Sequence, residues 1–315
     1  MILLLALILG LGIPLGIIYL IETFNTKVRG KSDVKDVKMP FAGEIPSCGP
    51  VEKKKKKKND EKATFDANAA VVVKAGNRNV VNEAFRVLRT NVEFMSQSTD
   101  SKVISFTSYN PGSGKSFNAI NLSVALSLKQ KRVLLIDCDL RHCSTSSIVG
   151  APKKGLSSYL SGRVADIDSL LVPFKDNDCL DVLPVGIIPP NPSELIADKR
   201  FDDMIAYFRG KYDYIFLDCP PIDIVADAQI INRCVDRTLF VIRAGLFDRG
   251  SIPELDKLYE ENKYKNIALI LNGTEASGSG KYGYRYGYRY AYHYGHYGSS
   301  YYGSTEDEEE SSKKS

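Results

Sequence analysis

The chain opens on a nearly unbroken apolar run, Met1 to Ile21, with no charge before Glu22. At about 1.5 Å per residue, about twenty residues cross the ~30 Å hydrocarbon core of a bilayer, so the run predicts one transmembrane helix over residues 1–21. Pro14 would kink that helix, which a membrane span tolerates better than a soluble helix does. A secretory leader wants a basic start and a small-residue cleavage site, and neither is present. A buried core helix is rarely apolar on every face. Lys27, Arg29, Lys31, Lys35 and Lys38 follow the run, and six lysines follow from Lys53 to Lys58. The positive-inside rule then places the bulk of the chain in the cytoplasm. Residues 22–69 read as a basic juxtamembrane linker. Its lysine run is a solvated spacer or a patch held by anionic lipid, and the two readings are compatible.

From Val80 the pattern changes to alternating helical and strand periods. Asn82 to Met95 carries Phe85, Leu88, Val92 and Met95 on one helical stripe. Short continuous apolar runs follow at Val103–Thr107, Val133–Ile136, Tyr214–Leu217, Leu239–Ile242 and Ile267–Leu271, with a helix expected from Ser116 to about Lys129. Continuous apolar strands between helices indicate a mostly parallel sheet with helices on both faces, an α/β domain over residues 70–275. Residues 276–315 have no core pattern and read as a disordered, tyrosine-rich, low-complexity tail.

Composition narrows the classes. The 43% apolar and 25% charged content suits an ordinary globular chain and excludes a mainly disordered, collagen-like or polytopic membrane protein. A net charge of +4 gives no argument for nucleic acid. Six cysteines and three histidines are too few and too scattered for a disulfide scaffold or a zinc ribbon. Cys138 and Cys219 lie inside apolar runs and are expected to be buried thiols in a reducing compartment. Ten of the 18 tyrosines fall between Tyr282 and Tyr302, and five acids, Glu306 to Glu310, follow them.

The strongest chemical signal is Asn110-Pro111-Gly112-Ser113-Gly114-Lys115-Ser116-Phe117, between a predicted strand and a predicted helix. That is the context of a P-loop, whose backbone N–H groups and helix start cradle phosphate oxygens. Lys115 can bridge the terminal phosphates of ATP and Ser116 can ligate Mg²⁺. The first glycine of G-x-x-x-x-G-K-[ST] is replaced by Tyr109. A second signal is Val133-Leu134-Leu135-Ile136-Asp137-Cys138-Asp139-Leu140-Arg141, with two carboxylates at a strand end. A third is Tyr214-Ile215-Phe216-Leu217-Asp218, where a Walker B carboxylate belongs. Open α/β sheets bind ligands at the carboxyl ends of their strands. Lys115, Asp137, Asp139 and Asp218 are the expected catalytic residues, with Ser116, Asp218 and Asp139 around Mg²⁺. Asp137 is the candidate to orient or deprotonate an incoming hydroxyl, although Asp137 and Asp139 could exchange roles.

The double-Asp strand end with the P-loop resembles the deviant Walker A' group that includes ParA- and MinD-like ATPases, although Asn110 stands where that group carries an extra lysine. The closer resemblance is to the bacterial tyrosine kinases, the cytoplasmic part of capsule and exopolysaccharide co-polymerases. It rests on the predicted span with its basic flank, Gly43-Glu44-Ile45-Pro46, Glu83-x-x-Arg86-x-x-Arg89, Pro189-Pro190-Asn191-Pro192-Ser193-Glu194-Leu195, and the tyrosine cluster. Asn191, Pro192 and Glu194 also make a good helix start and carry no catalytic role here. The resemblance implies that Glu83, Arg86 and Arg89 dock on a neighbouring subunit in a ring, where the residues alone read as a solvated helical stripe. It implies that Asn272 contacts adenine. It implies that Tyr282, Tyr284, Tyr286, Tyr288, Tyr290, Tyr292, Tyr294, Tyr297, Tyr301 and Tyr302 accept phosphate from ATP, on the neighbour's tail. The plain alternative for these tyrosines is a sticky aromatic stacking surface. A kinase domain at the inner face of the bacterial cell membrane, a cognate tyrosine phosphatase and the polysaccharide polymerisation and export machinery are the implied setting and partners, with no nucleic acid. The rival expectations are a membrane-tethered ATPase switch without kinase activity and a non-enzymatic scaffold with a structural nucleotide.

Overall fold

The computed structural model describes residues 10–16, 23–48, 70–97, 101–222 and 227–275. Most of the expected span, the Lys53–Lys58 run and the whole tyrosine cluster lie outside these residues. Residues 10–16 are helical, and among the described residues no helix is long and apolar enough to cross a membrane.

Eight strands form one sheet: β1 (Phe41–Pro46), β2 (Val103–Ser108), β3 (Val133–Asp137), β4 (Val172–Pro173), β5 (Leu180–Leu183), β6 (Tyr214–Asp218), β7 (Arg237–Arg243) and β8 (Ala268–Thr274). Their order is β1-β8-β7-β2-β6-β3-β5-β4, and every pairing is parallel except β4 with β5. The helices used below are α1 (Val80–Gln97), α2 (Lys115–Ser127), α3 (Ser144–Ile148), α4 (Leu156–Leu160), α5 (Pro192–Ala197), α6 (Lys199–Arg209), α7 (Asp227–Ile231) and α8 (Ile252–Glu260).

The unbroken apolar runs are explained by two cores, one on each face of the sheet. Val133 and Leu135 of β3 join Phe85, Leu88 and Val92 of α1 and Ile120 of α2 in one core. Leu134 and Ile136 point the other way, into a core with Phe201 and Phe208 of α6 and Leu255 of α8. A strand covered on both faces has no polar side to show.

The sheet begins earlier than residue 70, where the domain was expected to start. β1 lies within the segment read as linker and pairs with β8 along the sheet edge. Val28 is fully buried and exchanges backbone hydrogen bonds with the 245–247 turn. The cations that look like a membrane flank also have partners in the domain. Lys27 pairs with Asp248 at 3.3 Å, Lys38 with Glu260, and Arg249 reaches back to Asp33 at 3.4 Å. Apolar Val28, Val34, Met39, Ala42 and Ile45 are spaced among these charges and packed away, so the density of lysine conceals a folded segment.

Asp236 pins the amino ends of β2 and β7. Its carboxylate accepts the amides of Lys102 and Val103 at 3.0 and 2.8 Å and both Nη atoms of Arg209 at 2.8 and 2.7 Å. Burial pushes its pKa up, but Arg209 and the two amides win and hold it below the ordinary carboxylate value. The stabilisation from a lowered pKa is complete above the unfolded value of about 4 and is lost as pH falls through the folded value. Asp236→Ala, which removes the carboxylate from Arg209 and leaves two amides without their acceptor, is expected to cost about 3 kcal/mol at pH 7. Urea unfolding at pH 7 and again below pH 4 checks both parts, since the gap to wild type should narrow in acid.

Candidate active site

The site is assembled at the carboxyl ends of the central strands. The P-loop leaves β2 and enters α2 at Lys115. Tyr109, where the motif has glycine, packs edge-on against Phe247 with ring centroids 5.9 Å apart. The Ser108 and Ser113 hydroxyls both donate to the Asn110 carbonyl, at 2.7 and 2.8 Å, and close the turn. Gly114 has a left-handed φ of 94°, which side-chain-bearing residues resist. Its carbonyl accepts from Asn118 at 2.8 Å, and the Gly112 carbonyl accepts from Arg243 at 3.0 Å. Asn272, expected at an adenine, donates its amide to the Ser113 carbonyl at 2.8 Å and is buried against the loop.

β3 and β6 pair so that Asp137 stands in register with Asp218. Lys115, Asp137, Asp139 and Asp218 are all buried. Asp137 accepts the amide and hydroxyl of Ser146 at 2.8 and 2.6 Å. Burial first, and then the charge of Asp218, push its pKa up to about 8. Burial also raises Asp218, while the Lys115 charge and the Ser116 and Thr145 hydroxyls pull it back. Thr145 donates to Asp218 Oδ2 at 2.6 Å, and Oδ1 is buried with no hydrogen-bond partner. Asp139 accepts the amides of Arg141 and His142 through one oxygen, at 3.3 and 3.1 Å.

Sequence reasoning missed Thr145, Ser146 and Arg243. The hydroxyl-rich Cys143-Ser144-Thr145-Ser146-Ser147 stretch just after the double Asp was the available signal. Cys138 and Cys219 are buried free thiols one residue beyond the two aspartates.

An orphaned carboxylate oxygen beside a hydroxyl and a lysine suits a divalent cation. Among the described residues no three His, Cys, Asp or Glu side chains form a ready metal cage. Mg²⁺ fits that description: it keeps several waters and is held by one or two protein oxygens and the substrate's phosphates. Asp218 Oδ1 and the Ser116 hydroxyl are oxygen donors of the kind such an ion takes.

The expected oligomer face lies elsewhere, on α1. Arg86 pairs with Glu83 at 3.2 Å, with Glu83 exposed and Arg86 half-buried. Arg89 turns inward and donates to the Ala125 carbonyl at 2.8 Å. Arg86 and Arg89 line a cavity of about 230 Å³ with Lys74, Gly76, Asn82 and Leu128.

Fold and site define a P-loop nucleotide-binding domain, and a family model described as an AAA domain matches residues 101–247. The tyrosine-protein kinase YwqD of Bacillus subtilis is 35% identical over 204 residues, covering 64% of this chain and 85% of that protein. The tyrosine-protein kinase wzc of Salmonella typhimurium is 36% identical over 205 residues, 64% of this chain. The match spans 28% of the length of that relative. The kinase domain of the Escherichia coli tyrosine kinase ETK superposes with a TM-score of 0.68 at 27% identity, covering 81% of this chain and 98% of that one. The chain belongs to the bacterial tyrosine kinases.

Proposed function

We propose that the domain transfers the terminal phosphoryl group of ATP to tyrosines of the Tyr282–Tyr302 cluster, on the tail of a neighbouring copy. The observation that supports it most is the cluster itself: ten hydroxyl-bearing rings tethered to a P-loop domain of tyrosine-kinase lineage. Tethering keeps acceptors at high local concentration.

The roles follow from the site. The P-loop amides and Lys115 orient the phosphates and stabilise developing charge. Ser116 and Asp218 would hold Mg²⁺, which would neutralise phosphate charge. Asp137 takes the phenol's proton as the new phosphorus–oxygen bond forms. Ser146 fixes the direction of that carboxylate.

The wider reading is a ring of copies docked through Glu83 and Arg86, anchored at the membrane through residues 1–21 with the domain on the cytoplasmic side. Unmodified tails favour the ring, and phosphorylated tails, each phosphate carrying about −1.5 to −2 charges, loosen it. A tyrosine phosphatase resets the cycle, whose output is control of capsular or exopolysaccharide polymerisation and export.

Incubation of the purified full chain with labelled ATP, followed by peptide mapping, tests the transfer. Label within Tyr282–Tyr302 supports it. ATP hydrolysis with no label on the tail points instead to a switch ATPase. For the ring, Phe94 is the most informative residue, because it sits 74% exposed on α1 with Val80 and Val87 along the same face as Glu83. An apolar stripe of that kind marks a contact surface. Phe94→Asp is expected to shift the particle to single chains in mass photometry while leaving ATP affinity within about twofold; an unchanged mass distribution would remove α1 from the interface.

A further inference from the structure

A second cluster stands at the same pole, across β6 from the P-loop. Arg141 leaves the end of β3, two residues beyond Asp139, and its backbone amide rests on the Asp139 carboxylate. Its Nη2 lies 3.5 Å from Asp227 Oδ2 and 3.3 Å from the Ser193 hydroxyl. Ser193 in turn donates to Asp227 Oδ1 at 2.5 Å. These residues come from the segments that follow β3, β5 and β6, three strands that are neighbours in the sheet. Ser193 belongs to the Pro-Asn-Pro-Ser-Glu helix start, whose sequence meaning had been only structural.

The asymmetry of burial is the informative feature. Asp227 is 1% exposed, whereas the Arg141 side chain is 38% exposed. One corner of the guanidinium is therefore pinned to a buried carboxylate. Among the described residues, its Nη1 and Nε donate to nothing. Each of those nitrogens can donate a charge-assisted hydrogen bond to a phosphoryl oxygen.

Charge at the site calls for such a group. Asp137, Asp139 and Asp218 are buried together, and Lys115 is the buried lysine beside them, on the P-loop side. During transfer, negative charge spreads over the three equatorial oxygens of the moving group. The bond from phosphorus to the ADP oxygen breaks, the bond to the phenol oxygen forms, and the phenolic proton passes to Asp137. A cation on the far side from Lys115 stabilises those oxygens without entering either bond.

We propose that Arg141 contacts the transferring phosphoryl group from the acceptor side, and that Asp227 and Ser193 are positioning residues that aim it. This rests on the kinase reading above. The test uses the full chain with Mg²⁺ and ADP, with and without aluminium fluoride as the mimic of the moving phosphoryl group. Binding of a fluorescent ADP analogue is measured alongside tail labelling. Arg141→Gln is expected to hold ADP within about twofold of wild type while weakening the fluoride complex at least about tenfold. Its kcat is expected to fall by about 10²–10³ with KM for ATP little changed. Arg141→Lys should be intermediate, because it keeps the charge and loses the fork. Ser193→Ala and Asp227→Asn should shift the fluoride complex in the same direction by less. Thermal melting identifies any variant that is merely unstable, and the exposed Arg141 and half-buried Ser193 keep the test independent of buried Asp227. If Arg141→Gln binds the fluoride complex as wild type does, or loses ADP affinity to the same extent, the assignment is wrong. A wild-type chain that neither traps fluoride nor labels its tail would overturn the kinase reading itself.

Discussion

Lys115→Met is expected to reduce tail phosphorylation by about 10³-fold while the domain stays folded. Lys115 is buried at the start of α2, and its charge is one of the forces lowering the Asp218 pKa against the effect of burial. Replacing it with an apolar chain of similar length leaves no cavity. It does leave Asp218 next to Asp137 and Asp139 without that counter-charge. Buried carboxylates in this position avoid ionisation by taking up protons. Asp218 then becomes a poor ligand for a cation, so the substitution removes a phosphate contact and weakens the metal site together. Labelling of the tail in the variant, with circular dichroism to confirm folding, decides the matter. Transfer within tenfold of wild type would mean that the phosphates are positioned by something other than this loop.

Gly114→Ala should be nearly as severe, and for a reason visible only in three dimensions. A Cβ at Gly114 would lie 2.1 Å from Asn272 Nδ2, and the backbone there is left-handed at φ 94°. The strained conformation alone costs about 1–2 kcal/mol. The overlap adds to this, because Asn272 cannot retreat without releasing the Ser113 carbonyl. ATP affinity is expected to fall by at least about 10²-fold, read by titration with a fluorescent analogue. Gly112→Ala is the control. Gly112 shares a positive φ of 74°, yet a Cβ there meets nothing within 4 Å, so only the conformational strain remains. If clash with Asn272 is the cause, Asn272→Ala should restore part of the affinity in the double variant, a coupling that a double-mutant cycle measures. Equal losses at Gly112 and Gly114 would show that strain alone governs the loop.

The sequence was most informative where chemistry and hydrophobic pattern coincide. β2, β3 and β6 each combine an unbroken apolar run with a functional motif at its end, so both the strands and the placement of Lys115, Asp137 and Asp218 were legible. β1 was not, because its short apolar segment follows closely spaced lysines. β5, at Leu180–Leu183, has only four residues, too few for a period to be distinguished from chance. Contacts between distant segments were the main loss. Thr145 meets Asp218 across 73 positions and Arg141 meets Ser193 across 52, and no local spacing encodes either. Asn272 illustrates both sides. Its position at the end of the last strand could be read, whereas its contact with a carbonyl 159 positions away required the fold.

The edge strand β1 has a mechanical meaning. Ile45 stands in register with Asn272 on β8, and Asn272 grips the turn that cradles phosphate. Tension drawn on the chain ahead of Phe41 meets the Val28 backbone bonds to the 245–247 turn and the Lys27–Asp248 and Lys38–Glu260 pairs before it reaches the β1–β8 ladder. Only a pull that first frees those contacts would unzip β1 and slacken the grip of Asn272 on the phosphate turn.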